Sequence, residues 1–187
     1  MSERKGEILK LAVEMIANEG YARLTMRALA RASGMKLGAL QYHFPTSEDM
    51  LRALVAHISD AYDQSFAHLQ AKEEPTVRDV VVFILDDEAG GILGGDKLWP
   101  QLWAMQQVEP LISDLIEDLY ASYYSILTDA LKRDREYSSR NDPEAEALAL
   151  MSLLEGTTIF MGEGRRWSNR AKSVRKVILE FVDQRYR

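Results

Sequence analysis

Leu24–Met50 reads LTMRALARASGMKLGALQYHFPTSEDM, and its punctuation decides the fold. Thr25 stands before a run of good helix formers, Met26 to Ala32, where its hydroxyl can cap the first turn. Ser33-Gly34 closes that run, with Gly34 supplying the left-handed residue that helix ends favour. A second short helix fits Leu37 to Phe44, because Leu40 and Phe44 share a face and can point inward together. Pro45 stops it. Thr46 or Ser47 then caps a third helix, with Glu48 and Asp49 in its first turn. Two short helices about a tight turn form a helix-turn-helix, whose second helix suits the major groove of DNA.

The flanks extend the pattern. Ile8, Leu9, Leu11, Ala12, Met15 and Ile16 follow helical spacing, and Gly20 ends that first helix. Its partners are expected to be Leu24, Leu29, Leu40 and Phe44, which gives residues 1–48 a small core of their own. Met50, Leu51, Leu54, Val55, Ile58 and Tyr62 continue at similar spacing into Phe66 and Leu69. This long fourth helix would run from the head into the body, residues 49–187.

Over Ile8 to Leu54 the chain resembles the DNA-binding head of the TetR family of transcriptional regulators. The residues that carry the likeness are Glu19-Gly20-Tyr21, Leu24 to Ala30, Gly34-Met35-Lys36, Gly38, Leu40 to Phe44 and Ser47 to Leu51. The resemblance implies an all-α chain of about nine helices: a three-helix head, then a ligand-binding and dimerisation bundle. It places Thr25, Tyr42 and His43 at phosphate-contacting positions, and Arg27 at a base or phosphate. Leu37, Gly38, Ala39 and Gln41 fall where base edges are met. Gln41 is the best reader of sequence among them, since its amide can bond adenine bidentately. Two positions depart from the pattern. Lys36 replaces a frequent capping Ser, and Ser47 replaces a frequent phosphate-binding Lys.

Composition and charge agree with one-ended DNA contact. The 187 residues are 47% hydrophobic and 28% charged, with a net charge of -6. Residues 1–58 hold eight Lys or Arg against six Asp or Glu, which leaves 15 basic against 23 acidic residues in the remainder. A mildly basic head on an acidic body directs phosphate toward the head. The absence of cysteine excludes disulfides and thiolate chemistry. No signal peptide or bilayer-length apolar run is present, so the expected location is cytoplasmic, away from any membrane.

In the body, Thr76 to Glu88 reads as a helix with Val80, Val81, Ile84 and Leu85 inward. A Gly-rich connection spans 90–95, and a short helix fits Leu98 to Val108 with Pro100 in its first turn. Pro110 opens a helix to about Lys132, and 133–141 is a charged loop. Asp142-Pro143 starts a helix to about Phe160 or Gly162, and Ser168 is expected to cap the last one. Trp99 and Trp103 share a helical face, with Gln106 a turn further, and Tyr120, Tyr123 and Tyr124 crowd the next helix. The resemblance implies that such residues line an apolar effector pocket, which Tyr62, Phe66 and Thr158 would complete. Ordinary core packing is the competing account of each ring. Glu155, in a stretch apolar almost all round, needs a partner there: a ligand amine, a nearby Arg or water. Aromatic faces with a carboxylate favour an aromatic or cationic effector.

Val174, Val177, Ile178, Phe181 and Val182 form a stripe on the last helix. With Leu150 and Leu154 before them, they resemble the pair of helices that forms the family's homodimer. No cofactor or metal is expected. His57 and His68 share a face but lie about 16 Å apart along a helix, too far for one ion. The reading is a DNA-binding regulator rather than an enzyme: a repressor released from a palindromic operator by a small organic effector. Two rivals remain. One is a helix-turn-helix protein without an effector; the other is a small helical enzyme that retains the head.

Overall fold

The computed structural model describes residues 3–72, 74–88, 93–133 and 142–186. Nine α-helices are present among them, and no strand. They are α1 (Glu3–Glu19), α2 (Met26–Ala32), α3 (Leu37–His43), α4 (Ser47–Gln70), α5 (Val77–Glu88), α6 (Gly95–Met105), α7 (Pro110–Arg133), α8 (Pro143–Met161) and α9 (Ala171–Arg185). Residues 90–92 of the expected Gly-rich connection and 134–141 of the charged loop lie outside the described residues. No described helix is long and apolar enough to cross a membrane.

The head forms as its punctuation directs. Thr25 Oγ1 accepts from the Ala28 N–H at 3.1 Å and caps α2. At the other end Gly34 is left-handed, with φ of 66°. The Met35 N–H returns to the Ala30 carbonyl at 2.8 Å, and the Gly34 N–H to Arg31 at 3.1 Å. These are the paired bonds of a Schellman motif, and they set the angle between α2 and α3. Arg4 reaches across from α1 to the Ser33 carbonyl at 2.7 Å, which ties the first helix to the same turn. α3 starts at Lys36 with no side-chain cap, as the substituted position implied. α4 compensates with a full capping box: Thr46 Oγ1 accepts from the Asp49 N–H, and the Asp49 carboxylate accepts from the Thr46 N–H. Ile8, Leu9, Ala12, Ile16, Leu29, Leu40 and Phe44 are buried together as the head core.

α4 carries that core into the body through Leu54, Ile58, Tyr62 and Phe66, all buried. α5 opens on a second capping box, in which Thr76 and Asp79 exchange bonds. A bond from Lys72, aided by those from Thr76, holds the Asp79 carboxyl down to about 2. α5 buries Val80, Val81, Ile84 and Leu85.

Three element ends differ from expectation: both ends of α6, which closes at Met105 rather than Val108, and the start of α9. α6 begins at Gly95, three residues early, so Pro100 lies inside the helix. Left-handed Gly94 provides the start, and its carbonyl accepts from the Lys97 and Leu98 N–H groups. Proline cannot return a bond to the residue four before it; that residue is Asp96, whose carbonyl faces Gly162 at the end of α8. Gly95 is required for space. A Cβ there would meet the Asp87 carbonyl oxygen at 2.1 Å, so α5 and α6 touch backbone to backbone. Ser168 does not cap α9. It opens a 3-10 turn, Ser168–Arg170, and α9 follows from Arg170 with no side-chain cap.

Candidate nucleic-acid interface and effector site

α3 presents Gly38, Ala39, Gln41 and Tyr42 as one exposed strip, preceded by exposed Lys36. Tyr42 is 87% exposed, which removes packing against the first helix as its account. It meets only the edge of the His43 ring, at 5.7 Å between centroids. Leu37 and His43 are half-buried at the flanks of the strip. Arg27 and Ser47 are exposed beside it. Thr25 spends its acceptor on the α2 cap and keeps its hydroxyl proton for a further acceptor. Every position assigned to DNA is therefore at the surface or its margin, on one end of the molecule.

Between head and body lies a cleft of about 1090 Å³, with Arg27 and Gln41 on one wall and Glu109 and Leu111 on the other. Tyr21 spans it and donates its hydroxyl to the Glu109 carboxylate. Burial, then this bond and the carboxylate's charge, push the Tyr21 phenol up to about 12. Glu109 joins α6 to α7, and α1 packs along α6. The head thus rests on the same helix that carries Trp99 and Trp103.

Inside the body the expected rings do come together. Trp99 stacks on Tyr120 with centroids 5.5 Å apart, and Tyr62 meets Trp99 edge-on at 5.8 Å. Trp103 donates its indole N–H to the Tyr120 hydroxyl at 2.8 Å. Phe66 packs on Tyr123 at 5.0 Å. Tyr62, Trp99 and Tyr123 are enclosed, while Trp103 and Tyr120 are half-buried.

At the centre is a residue that the sequence reading missed. Asp87 is 2% exposed, and its Oδ2 accepts from Trp99 Nε1 at 2.9 Å, Tyr62 Oη at 3.0 Å and Tyr123 Oη at 3.3 Å. All three donors are neutral, and they come from α4, α6 and α7 to a carboxylate on α5. The available signal was periodicity: Val80, Ile84 and Asp87 stand at i, i+4 and i+7, so one face of α5 ends on an acid.

Glu155 is half-buried on α8, and Gln106 is the half-buried C-cap of α6. Thr158 is buried and lines a different pocket, between α5, α8 and α9. Of the dimerisation candidates, Leu150, Leu154 and Ile178 are buried within the single chain and belong to its core. Val174 is half-buried, whereas Val177 and Phe181 are exposed. Leu148, Leu153, Ile159 and Phe160 on α8 are exposed as well, so the free apolar face uses those residues instead.

Residues 8–54, the helix-turn-helix and its flanks, match the family described as bacterial regulatory proteins, tetR family. Over its full length the chain superposes on a transcriptional regulator from Saccharomonospora viridis solved in complex with choline. The TM-score is 0.78 and the identity 25%, covering 100% of this chain and 98% of that one. Residues 8–54 are thus a TetR-type DNA-binding head. Among curated TetR-like relatives, the nucleoid occlusion factor SlmA of Aliivibrio fischeri is 30% identical over 82 residues, 43% of this chain and 42% of that protein. The transcriptional repressor KstR2 of Mycobacterium tuberculosis is 35% identical over 60 residues, 32% of this chain and 30% of that protein. Both matches span less than half of the relative.

Proposed function

We propose that this chain is a dimeric TetR-type repressor, released from its operator by a small organic cation held among the body's rings. The observation that carries the cation is Asp87. A carboxylate this deeply buried, with aromatic rings packed against it, is a pairing that an organic cation answers. Ring faces add about 2 kcal/mol when the contact is desolvated. The regulator with which this chain shares its whole fold was crystallised with choline, a quaternary ammonium of that kind. Entry runs over Trp103 and Tyr120, the half-buried members of the ring set.

The tight mutual packing of the rings favours a second reading, in which Asp87 is a structural knot between four helices and no effector binds. One titration separates the two. Tryptophan fluorescence followed against choline is expected to change saturably. Its neutral isostere 3,3-dimethylbutanol is expected to bind at least about tenfold more weakly, or 1.4 kcal/mol. Asp87→Asn should remove the preference for charge, and choline should lower operator affinity of the wild type only. Equal response to both compounds overturns the cation reading. Loss of preference in Glu155→Gln instead of Asp87→Asn would transfer the counter-ion role to Glu155.

A further inference from the structure

The pocket between α5, α8 and α9 is not used by any of the above. Its volume is about 390 Å³, and Leu85 and Met161 supply apolar wall. What distinguishes it is its polar lining. Thr158 is 2% exposed, and its hydroxyl has no hydrogen-bond partner among the described residues. Arg175 is held by Asp86 through Nη2 at 2.9 Å, but its Nη1 is buried without a partner. Buried donors are seldom left unmade, and each such vacancy costs about 1–3 kcal/mol. Lys172 stands at the rim, and its ammonium makes no ion pair among the described residues. The two acids at the pocket are already engaged: Asp96 accepts from the Glu163 N–H at 3.0 Å, and Glu163 pairs with Lys97 at 3.0 Å.

We propose that this pocket is a second small-molecule site, and that it takes an organic carboxylate with a short apolar body. The hydroxyl of Thr158, Nη1 of Arg175 and the Lys172 ammonium are all donors, and two carry positive charge. A carboxylate oxygen pair answers them, while a cation or a pure hydrocarbon does not. Thr158 and Met161 continue the face of buried Leu154 at i+4 and i+7, so the site lies on the core side of α8. It is separate in chemistry from the ring set, but adjacent in the chain. Asp86, the partner of Arg175, precedes Asp87 on α5, so an anion that draws Arg175 inward acts on the helix that holds the first site.

The test uses the full-length protein and a straight-chain series, acetate to octanoate, with hexanol as the neutral control. Calorimetry is expected to show saturable binding that improves with chain length to hexanoate, and weaker binding of hexanol. Thr158→Val and Lys172→Ala should each weaken hexanoate by about tenfold, the worth of one charge-assisted bond. Thr158→Val fills the same space without an orphaned hydroxyl, so its unliganded melting temperature should be unchanged or higher. Lys172 is exposed, and its loss leaves the fold intact. Absence of carboxylate binding into the millimolar range overturns the proposal. So does equal binding of hexanol, wild-type affinity in both variants, or competition of hexanoate with choline for one site. Choline titration in the same variants is independent, so failure here leaves the ring-set reading standing.

Discussion

Gln41 and Tyr42 are neighbours on one exposed turn, yet as proposed DNA contacts they would ask different things of it. An amide presented to a base edge discriminates among sequences; a phenol presented to a phosphate does not. Gln41→Ala is expected to cost roughly 1–3 kcal/mol on the selected operator and little on random DNA. Tyr42→Ala should weaken both alike, and neither should alter stability, because both side chains stand in solvent. Competition binding at fixed salt distinguishes these; equal loss on both DNAs for Gln41→Ala would remove its reading role. These positions were legible in the sequence because short helices with marked ends fix which residues face out. Asp87 was not, although its spacing was available. An acid in the last turn of a helix is ordinarily a solvated end, and only the arrival of Tyr62, Trp99 and Tyr123 from three other helices makes it central. Glu155 stands out along the chain because its own stretch is apolar, a local signal that does not say which neighbours approach.

At the scale of elements, α4 was legible as a head-to-body link from its unbroken stripe, but α6 was not. Pro100 suggested a start near Leu98, whereas Gly94 and Gly95 set the start, and the close approach of Gly95 to Asp87 is a tertiary demand. α6 matters because it meets the rings on one side, α1 on another, and leads through a short turn to Glu109. If an effector shifts α6, the Tyr21–Glu109 bond is the contact through which the head would feel it. Tyr21→Phe and Glu109→Gln are each expected to destabilise the chain by about 1 kcal/mol after screening. The double variant should cost little more than either, and additive losses would mean that the two residues do not couple. Alkaline titration checks the same contact. The folded phenol titrates near 12 against an ordinary 10, so the folded state keeps a proton that the unfolded state releases. Its contribution is full below pH 10 and is lost as pH rises from about 10 to 12. The Phe variant should lack that phase.

For the whole molecule, the proposed dimer needs a seam, and the exposed apolar side chains offer one. Among the described residues, six of the nine large apolar side chains that stand exposed lie on the C-terminal pair: Leu148, Leu153, Ile159 and Phe160 on α8, with Val177 and Phe181 on α9. A helix apolar all round must bury two faces. α8 spends one on the core through Leu150 and Leu154, and the proposed dimer would cover the other with a second copy. The sequence showed both stripes but could not divide them, since a core leucine and a seam leucine look alike along one helix. Substitution divides them. Phe181→Asp should place a charge in the seam, giving folded monomers with full helicity and weakened operator binding. Ile178→Asp, three residues away but only 4% exposed, should instead bury a charge in the core and unfold the body, at several kcal/mol. Sedimentation velocity with circular dichroism reads both. If Phe181→Asp remains dimeric, the seam lies elsewhere; if Ile178→Asp gives helical monomers, Ile178 faces the seam of α9 and not the core.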